Sequence, residues 1–257
     1  MQPGVGSVYL SRPAAHERHM YNLLISIAAG VAVGLAVFFG SRLGWAAATV
    51  PAAIALLATY LVLARRTWKK LEGVFEAAQK DLQGGRFEKA VQTLQGGFPL
   101  ARWQFLVETQ LHSQIGVLFY VKQDFDAALP HLEKSYARHW VARAMLAVSR
   151  YRRRDVEAMK KVFEEAVKSS KKEGLLWAAY AWCLEKEGRH DEAIAVMSRA
   201  AKANPSDDKV SAALQALQNG KKLKLGKLYG EQWFQFHLER LPPELMGGGR
   251  RVVFQRR

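Results

Sequence analysis

A single cysteine, Cys183, stands in a chain of 257 residues. One thiol excludes a disulfide-stapled scaffold and any multi-cysteine zinc or iron–sulfur site. Charge is missing from the front of the chain: no charged side chain lies between Tyr21 and Phe39, nor between Trp45 and Ala64. Residues 1–64 hold only Arg12, Arg18 and Arg42 against Glu17, which leaves 35 basic and 22 acidic residues to the rest. The signs of chemistry are equally sparse. No glycine-rich loop runs into a Lys-Ser/Thr pair to cradle a phosphate, and Gly247–Gly249 reads as a linker. The seven histidines are scattered; His16 and His19 have ligand-like spacing but only Glu17 nearby, too few donors for a metal. Cys183, beside Trp182, lacks the histidine partner and electropositive setting that a nucleophile requires, and reads as a buried small thiol. An enzyme is not expected, nor a cofactor or metal. What is abundant excludes whole-chain disorder: 49% of the residues are hydrophobic. The mean hydropathy of -0.13 averages an apolar front with a polar body of net charge +13.

The run from Tyr21 to Phe39 would extend about 28 Å as a helix, the thickness of a bilayer's hydrocarbon core. A break at residues 40–44 separates it from a second run, Trp45 to Ala64, which Arg65, Arg66, Lys69 and Lys70 stop abruptly. Two transmembrane helices joined by a tight turn are expected. A cleaved signal peptide has a shorter apolar region, and core helices carry polar stripes that these lack. The basic residues near the span ends put both termini on the cytoplasmic side, with the exit quartet facing lipid headgroups, anionic ones in particular. Gly30 and Gly34 form a GxxxG pattern, and Ala48, Ala52 and Ala55 follow at helical spacing; such residues either pack the two helices together or support dimerisation. No Asp, Glu, Lys or His lies within either span, so the hairpin reads as an anchor rather than a transport path. Pro51, one turn into the second span, is a candidate kink.

From Trp68 onward the pattern is helical and self-similar. GGRFEKAVQTLQGG (84–97), KQDFDAALPHLEKS (122–135), RRDVEAMKKVFEEA (153–166) and EGRHDEAIAVMSRA (187–200) align as turn, apolar residue, acid, small residue and bulky residue. With Gly85, Gln123, Arg154 and Gly188 as equivalent positions the spacings are 38, 31 and 34 residues. This resembles the tetratricopeptide repeat, a helix–turn–helix unit of about 34 residues. The fourth segment matches best, through Trp177, Ala181, Leu184, Gly188, Ala193, Ala200 and Pro205. The second matches through Ile115, Gly116, Phe119, Phe125, Ala128 and Leu132. In the third, Ala147, Val156, Phe163 and Ala166 fit while Met159 replaces a small residue; the first rests on Phe87, Ala90 and Leu94. The resemblance covers residues 71–205. Pro205-Ser206-Asp207-Asp208 reads as a stop followed by the cap of a new helix, to about Gln218, that closes the array. The expected fold is all-α: an N-terminal flank (1–20), a two-helix transmembrane hairpin (21–64), an α-solenoid of three to four repeats plus a capping helix (65–219), and a basic, aromatic extension (220–257).

The resemblance implies an interaction surface, with the first helix of each unit lining a groove for a peptide or partner helix. By position the groove residues are Gln79, Gln110, Ser113, Val117, Tyr120, Tyr151, Arg152, Trp182, Glu185 and Lys186. The Lys/Asn/Arg set with which some members clamp a terminal carboxylate is replaced here by Phe75, Gln79, Gln114, Ala144 and Met145, so that mode is not expected. His190 stands where the family usually has an aromatic residue and is expected to be packed inside. The extension carries nine basic residues and three acids with Tyr229, Trp233, Phe234, Phe236 and Phe254. It either packs back on the array or docks a partner through Trp233, Phe234 and Phe236; Arg250–Arg257 is either a strand or disordered. Arg150–Arg154 and the lysines at 221–227 raise nucleic-acid binding, but helix-end cations and lipid contact account for them better. The expected role is a membrane-anchored adaptor or scaffold that recruits or assembles partner proteins at a cytoplasmic face, as homo- or hetero-oligomer. Small bacterial inner-membrane factors of this family are similar in layout, though with one span. A structural subunit of an envelope machine, or a ribosome-associated membrane protein, is the alternative.

Overall fold

The computed structural model describes residues 20–41, 44–240 and 242. The flank with Arg12, Arg18, His16 and His19, the turn residue Arg42, Phe254, and the stretches 247–249 and 250–257 lie outside them. Every regular element described is helical: α1 (Tyr21–Ser41), α2 (Trp45–Gln83), α3 (Phe87–Gln95), a 3-10 turn (Phe98–Arg102), α4 (Val107–Val121), α5 (Phe125–Glu133), α6 (Trp140–Arg152), α7 (Val156–Ser169), α8 (Gly174–Lys186), α9 (His190–Ala203), α10 (Asp208–Gln218), α11 (Leu225–Tyr229) and α12 (Glu231–Phe234). The chain divides into two compact units, Met1–Leu111 and His112–Arg257.

In the first unit α1 and α2 pair as an antiparallel hairpin whose contact seam is made of small residues. A methyl placed on Gly30 would lie 2.9 Å from Leu56 Cβ and 3.0 Å from the Ala52 carbonyl; one on Gly34 would lie 3.1 Å from Ala52 Cβ. The GxxxG face is thus turned toward the partner helix of the same hairpin. Away from the seam the helices present large apolar side chains, among them Leu24, Ile27, Val31, Leu35, Val50, Ile54, Leu57 and Leu61, all exposed. Both helices are long and apolar enough to cross a membrane. The second does not end where the charges begin. Arg65 and Arg66 change the composition but not the backbone, since both are good helix formers, and Pro51 also lies within the continuous helix. At about 1.5 Å per residue α2 runs about 58 Å. Its far part buries Leu71 and Ala78, and α3 buries Ala90, Val91 and Leu94. Asp81 anchors the turn between α2 and α3, accepting from Arg86 Nη2 at 2.9 Å and from Thr93 Oγ1 at 3.2 Å. The Arg86 hydrogen bond holds its carboxyl below the ordinary carboxylate range.

One turn recurs along the chain. Gly85, Gln123, Arg154, Gly188 and Gly220 adopt φ of 72, 68, 61, 73 and 63°. The amide that follows each donates to a carbonyl five residues back: Arg86 to Asp81 at 2.8 Å, Asp124 to Phe119 at 2.9 Å, Asp155 to Arg150 at 3.1 Å, Arg189 to Leu184 at 2.9 Å and Lys221 to Ala216 at 2.8 Å. A left-handed residue closes the outgoing helix while satisfying one of its last carbonyls. Asp124 and Asp155 then cap the returning helix, accepting from the amides of Ala127 at 3.1 Å and Ala158 at 3.0 Å. The four positions aligned in the sequence are therefore equivalent in backbone geometry, and Gly220 extends the series by another 32 residues.

In the second unit close contacts form both within a helix pair and between successive pairs. Gly116 on α4 lies against Leu132 of α5, where an added methyl would approach its Cδ2 to 2.9 Å. Phe163 of α7 stacks on Tyr180 of α8 with ring centres 4.8 Å apart. Helices α6 and α8, first helices of successive pairs, are neighbours, and α10 packs on α8 and α9. Asp207 caps α10 by accepting from the amides of Lys209 at 2.9 Å and Val210 at 3.2 Å. His139 caps α6 with Nδ1, which accepts from Ala142 at 3.2 Å; burial lowers its pKa and keeps that lone pair free of a proton.

The turn predicts opposite outcomes at equivalent positions. Arg154→Gly, which relieves a left-handed side-chain residue, is expected to raise the unfolding free energy by about 0.5–1 kcal/mol. Gly188→Ala is expected to lower it by about 1 kcal/mol. Denaturant titration of the detergent-solubilised protein, followed by circular dichroism, measures both.

Candidate functional site

The first helices α4, α6 and α8 bring part of the expected groove together, and residues 233–239 of the same chain lie across it. Tyr120, fully buried near the end of α4, donates its hydroxyl to the Phe236 carbonyl at 2.8 Å. Burial raises its pKa, so it remains a donor. Arg152, in the last turn of α6, donates to the His237 carbonyl, and its guanidinium lies 4.3 Å from the centre of the Phe125 ring. Trp182 of α8 packs edge-on against Trp233, ring centres 5.5 Å apart. Glu239 joins the two indoles: it accepts from Trp182 Nε1 at 3.1 Å and from Trp233 Nε1 at 2.8 Å. Trp233 and Phe236 are fully buried; Phe234 is half-buried, with its ring over Gly226. The extension therefore has its aromatic residues inside, where burying large rings gains most.

The remaining groove residues are placed differently. Tyr151 meets Trp182 at 6.1 Å between ring centres and is half-buried. Lys186 Nζ lies 5.1 Å from the Trp182 ring centre. Glu185 bonds His190 Nδ1 at 2.7 Å, and His190 is half-exposed beside it rather than packed inside. A polar partner on the preceding turn holds the ring at the surface. Val117 is buried, and Ser113 faces the repeat interior, where its hydroxyl accepts from the Tyr136 amide at 2.8 Å. Gln79 and Gln110 belong to the first unit, both half-buried. Arg65, Arg66, Lys69 and Lys70 are all exposed on α2. Cys183 is fully buried, and burial pushes its thiol pKa up.

The arginine cluster is largely engaged within the chain. Arg150 pairs with Glu133, Arg153 with Asp126 at 3.1 Å, and Arg152 holds the extension. The lysines at 221–227 rim a shallow groove of about 490 Å³ with an apolar floor of Ala212, Ala216, Leu223 and Leu228.

Two features have no counterpart in the sequence reading. Glu239 is one of three acids in a basic segment, and only its position between two indole N–H donors explains it. His112 and His131 form a pair whose Nδ1 atoms are 2.9 Å apart, one donating and the other accepting. Burial first, then neighbouring positive charge, pushes both down to about 4.

Residues 151–217 match the family model described as Tetratricopeptide repeat. That segment, from the end of α6 to α10, is similar to tetratricopeptide repeats. No curated protein matches the chain.

Two outcomes are expected. Trp233→Ala should cost about 3–5 kcal/mol and Phe234→Ala less than half as much, by denaturant titration. For the histidine pair, pKa values near 4 in the folded state lie below the ordinary 6.5. The unfolded chain therefore takes up protons first, and stability is complete above about pH 6.5 and lost as pH falls toward about 4. His131→Gln should flatten that dependence in thermal melts between those limits.

Proposed function

We propose that the chain is a membrane-anchored tetratricopeptide adaptor, which recruits or assembles partner proteins at the cytoplasmic face of a bacterial inner membrane and does no chemistry of its own. The observation that carries the reading is the continuity of α2. One end of that helix shows large apolar side chains to its surroundings; the other packs with α3 through the same turn that closes every later helix pair. A soluble core helix would bury such side chains, and their exposure to water would be unfavourable by about 25 cal/mol per Å². A bilayer removes that penalty. Arg65, Arg66, Lys69 and Lys70, exposed where the apolar stretch ends, then meet anionic headgroups, each gaining about 1 kcal/mol.

Partner binding is assigned, in the second unit, to the groove-side residues that the extension leaves accessible, Tyr151, Glu185 and Lys186, and separately, within the first unit, to Gln79 and Gln110. A rim with both signs of charge beside aromatic rings suits a partner segment with apolar anchors and some acidity. A fixed subunit of a larger envelope assembly is the second reading. It is favoured by the extension itself, which already covers Tyr120, Arg152 and Trp182 and leaves less groove for a transient peptide.

A photo-crosslinking residue at Tyr151 or Lys186, used in the native membrane, should yield protein adducts that the same residue at Lys168 on α7 does not. Equal adducts from all three would remove the groove assignment, and a fixed-ratio partner retained through detergent purification would select the subunit reading. Protease should digest the 65–257 body only from the cytoplasmic side; digestion from the outer side would overturn the orientation.

A further inference from the structure

Apart from Met20, the hairpin and Trp68 at its exit, only two large apolar side chains are exposed among the described residues: Trp103, at 41%, and Phe105, at 57%. They stand together in the irregular segment between the 3-10 turn and α4. Both are held against the charged end of the hairpin by a built contact. The Asn22 amide donates to the Trp103 carbonyl at 3.4 Å, and Asn22 Nδ2 donates to Gln104 Oε1 at 3.3 Å and to Thr67 Oγ1 at 3.0 Å. Asn22, Thr67 and Gln104 are each buried. The Tyr21 and Trp103 rings meet edge-on, 5.4 Å between centres. A small cleft is lined by Met20, Leu23, Tyr60, Trp103, Gln104 and Phe105.

The level of this segment along the hairpin is set by its neighbours. Leu23 and Tyr60 belong to the apolar runs, and Tyr60 precedes Arg65 by five residues, about 7 Å along the helix. Trp103 and Phe105 therefore sit at the boundary between the apolar surface of the hairpin and its basic collar, not beyond it. The polar groups of the segment turn inward to Asn22, while its two rings turn outward. Arg102, next in sequence, is exposed.

Given the membrane anchorage proposed above, we infer that residues 103–105 form a third membrane contact, with Trp103 and Phe105 inserted at the boundary between headgroups and acyl chains. Amphipathic and aromatic rings are favoured at that depth, and the basic side chains around them suit an anionic surface. The occupant is lipid because the two rings line one cleft with Leu23 and Tyr60 of the hairpin's apolar runs and so adjoin the surface that the proposed anchorage turns to lipid. The contact ties the loop after the first helix pair to the bilayer, so α2 and α3 are held at two points rather than by the span alone.

The test uses the full-length protein in vesicles of phosphatidylcholine and phosphatidylglycerol in equal parts. Bimane is attached at Phe105→Cys, at Val31→Cys in mid-span, or at Gln83→Cys at the far end of α2. Buried Cys183 stays in place, and the unsubstituted protein gives the labelling blank. Lipids carrying a nitroxide near the glycerol end of the acyl chain should remove about half the emission at 105, about twofold more than lipids labelled near the methyl end. Position 31 should show the reverse preference and position 83 no quenching. Quenching at 31 without quenching at 105 would overturn the inference and leave the anchor intact. No quenching at 31 would overturn the anchor and the inference with it. In the unsubstituted protein, a photoactivatable phospholipid reactive near its headgroup should label the peptide containing Trp103 and Phe105. Labelling confined to the spans would likewise overturn the contact.

Discussion

From α2 onward each helix pair returns on itself through one residue held at positive φ, and the packing downstream depends on that reversal. Two helices of nine to fifteen residues cannot bury an apolar face alone; stacked on their neighbours they can. The turn sets which faces meet. Where glycine occupies it the backbone adopts the conformation without steric penalty; at Gln123 and Arg154 the following aspartate cap helps hold it. The close contacts then follow in register, with Gly116 under Leu132 and Phe163 on Tyr180.

Helix α8 shows what the extension contributes. From Gly174 to Leu184 every residue is buried, which is unusual for a helix unless neighbours cover it all round. Helices α6, α7, α9 and α10 cover most of it. Trp233, lying on Trp182, covers the side that would otherwise form the floor of an open groove. The extension holds its place through two main-chain carbonyls and one carboxylate shared by two indoles, and the donors to these groups come from first helices or from its own α12.

Much of this was readable in advance, because it is local. Gly85, Gln123, Arg154 and Gly188 align by the residues around them, and all four share one backbone conformation. The ends of α1 and α2 nearest the turn follow the edges of the uncharged runs, and Asp207 marks the start of α10. The rest was hidden for two reasons. A change in composition is not a change in backbone, so Arg65 marks no helix boundary. Contacts between distant segments also leave no pattern: Tyr120 and Phe236 are 116 residues apart, Asn22 and Gln104 are 82, and the acceptor in the first is a carbonyl that any residue carries. The surface position of His190 was missed because Glu185, not the repeat interior, supplies its partner.

The seam of the hairpin has one more consequence. Gly30 and Gly34, the residues through which two helices can approach most closely, are covered by Ala48, Ala52 and Leu56 of the same chain. The outward faces carry Leu24, Ile27, Val31 and Leu35 on α1 and Val50, Ile54 and Leu57 on α2, and Ala28, Ala32 and Ala36 are exposed among them at four-residue spacing. The hairpin itself leaves that line of small residues uncovered, and small residues at this spacing let another helix approach closely. In the anchorage proposed above, a neighbour in the plane of the bilayer would meet that alanine line and the branched residues beside it, not the glycine seam.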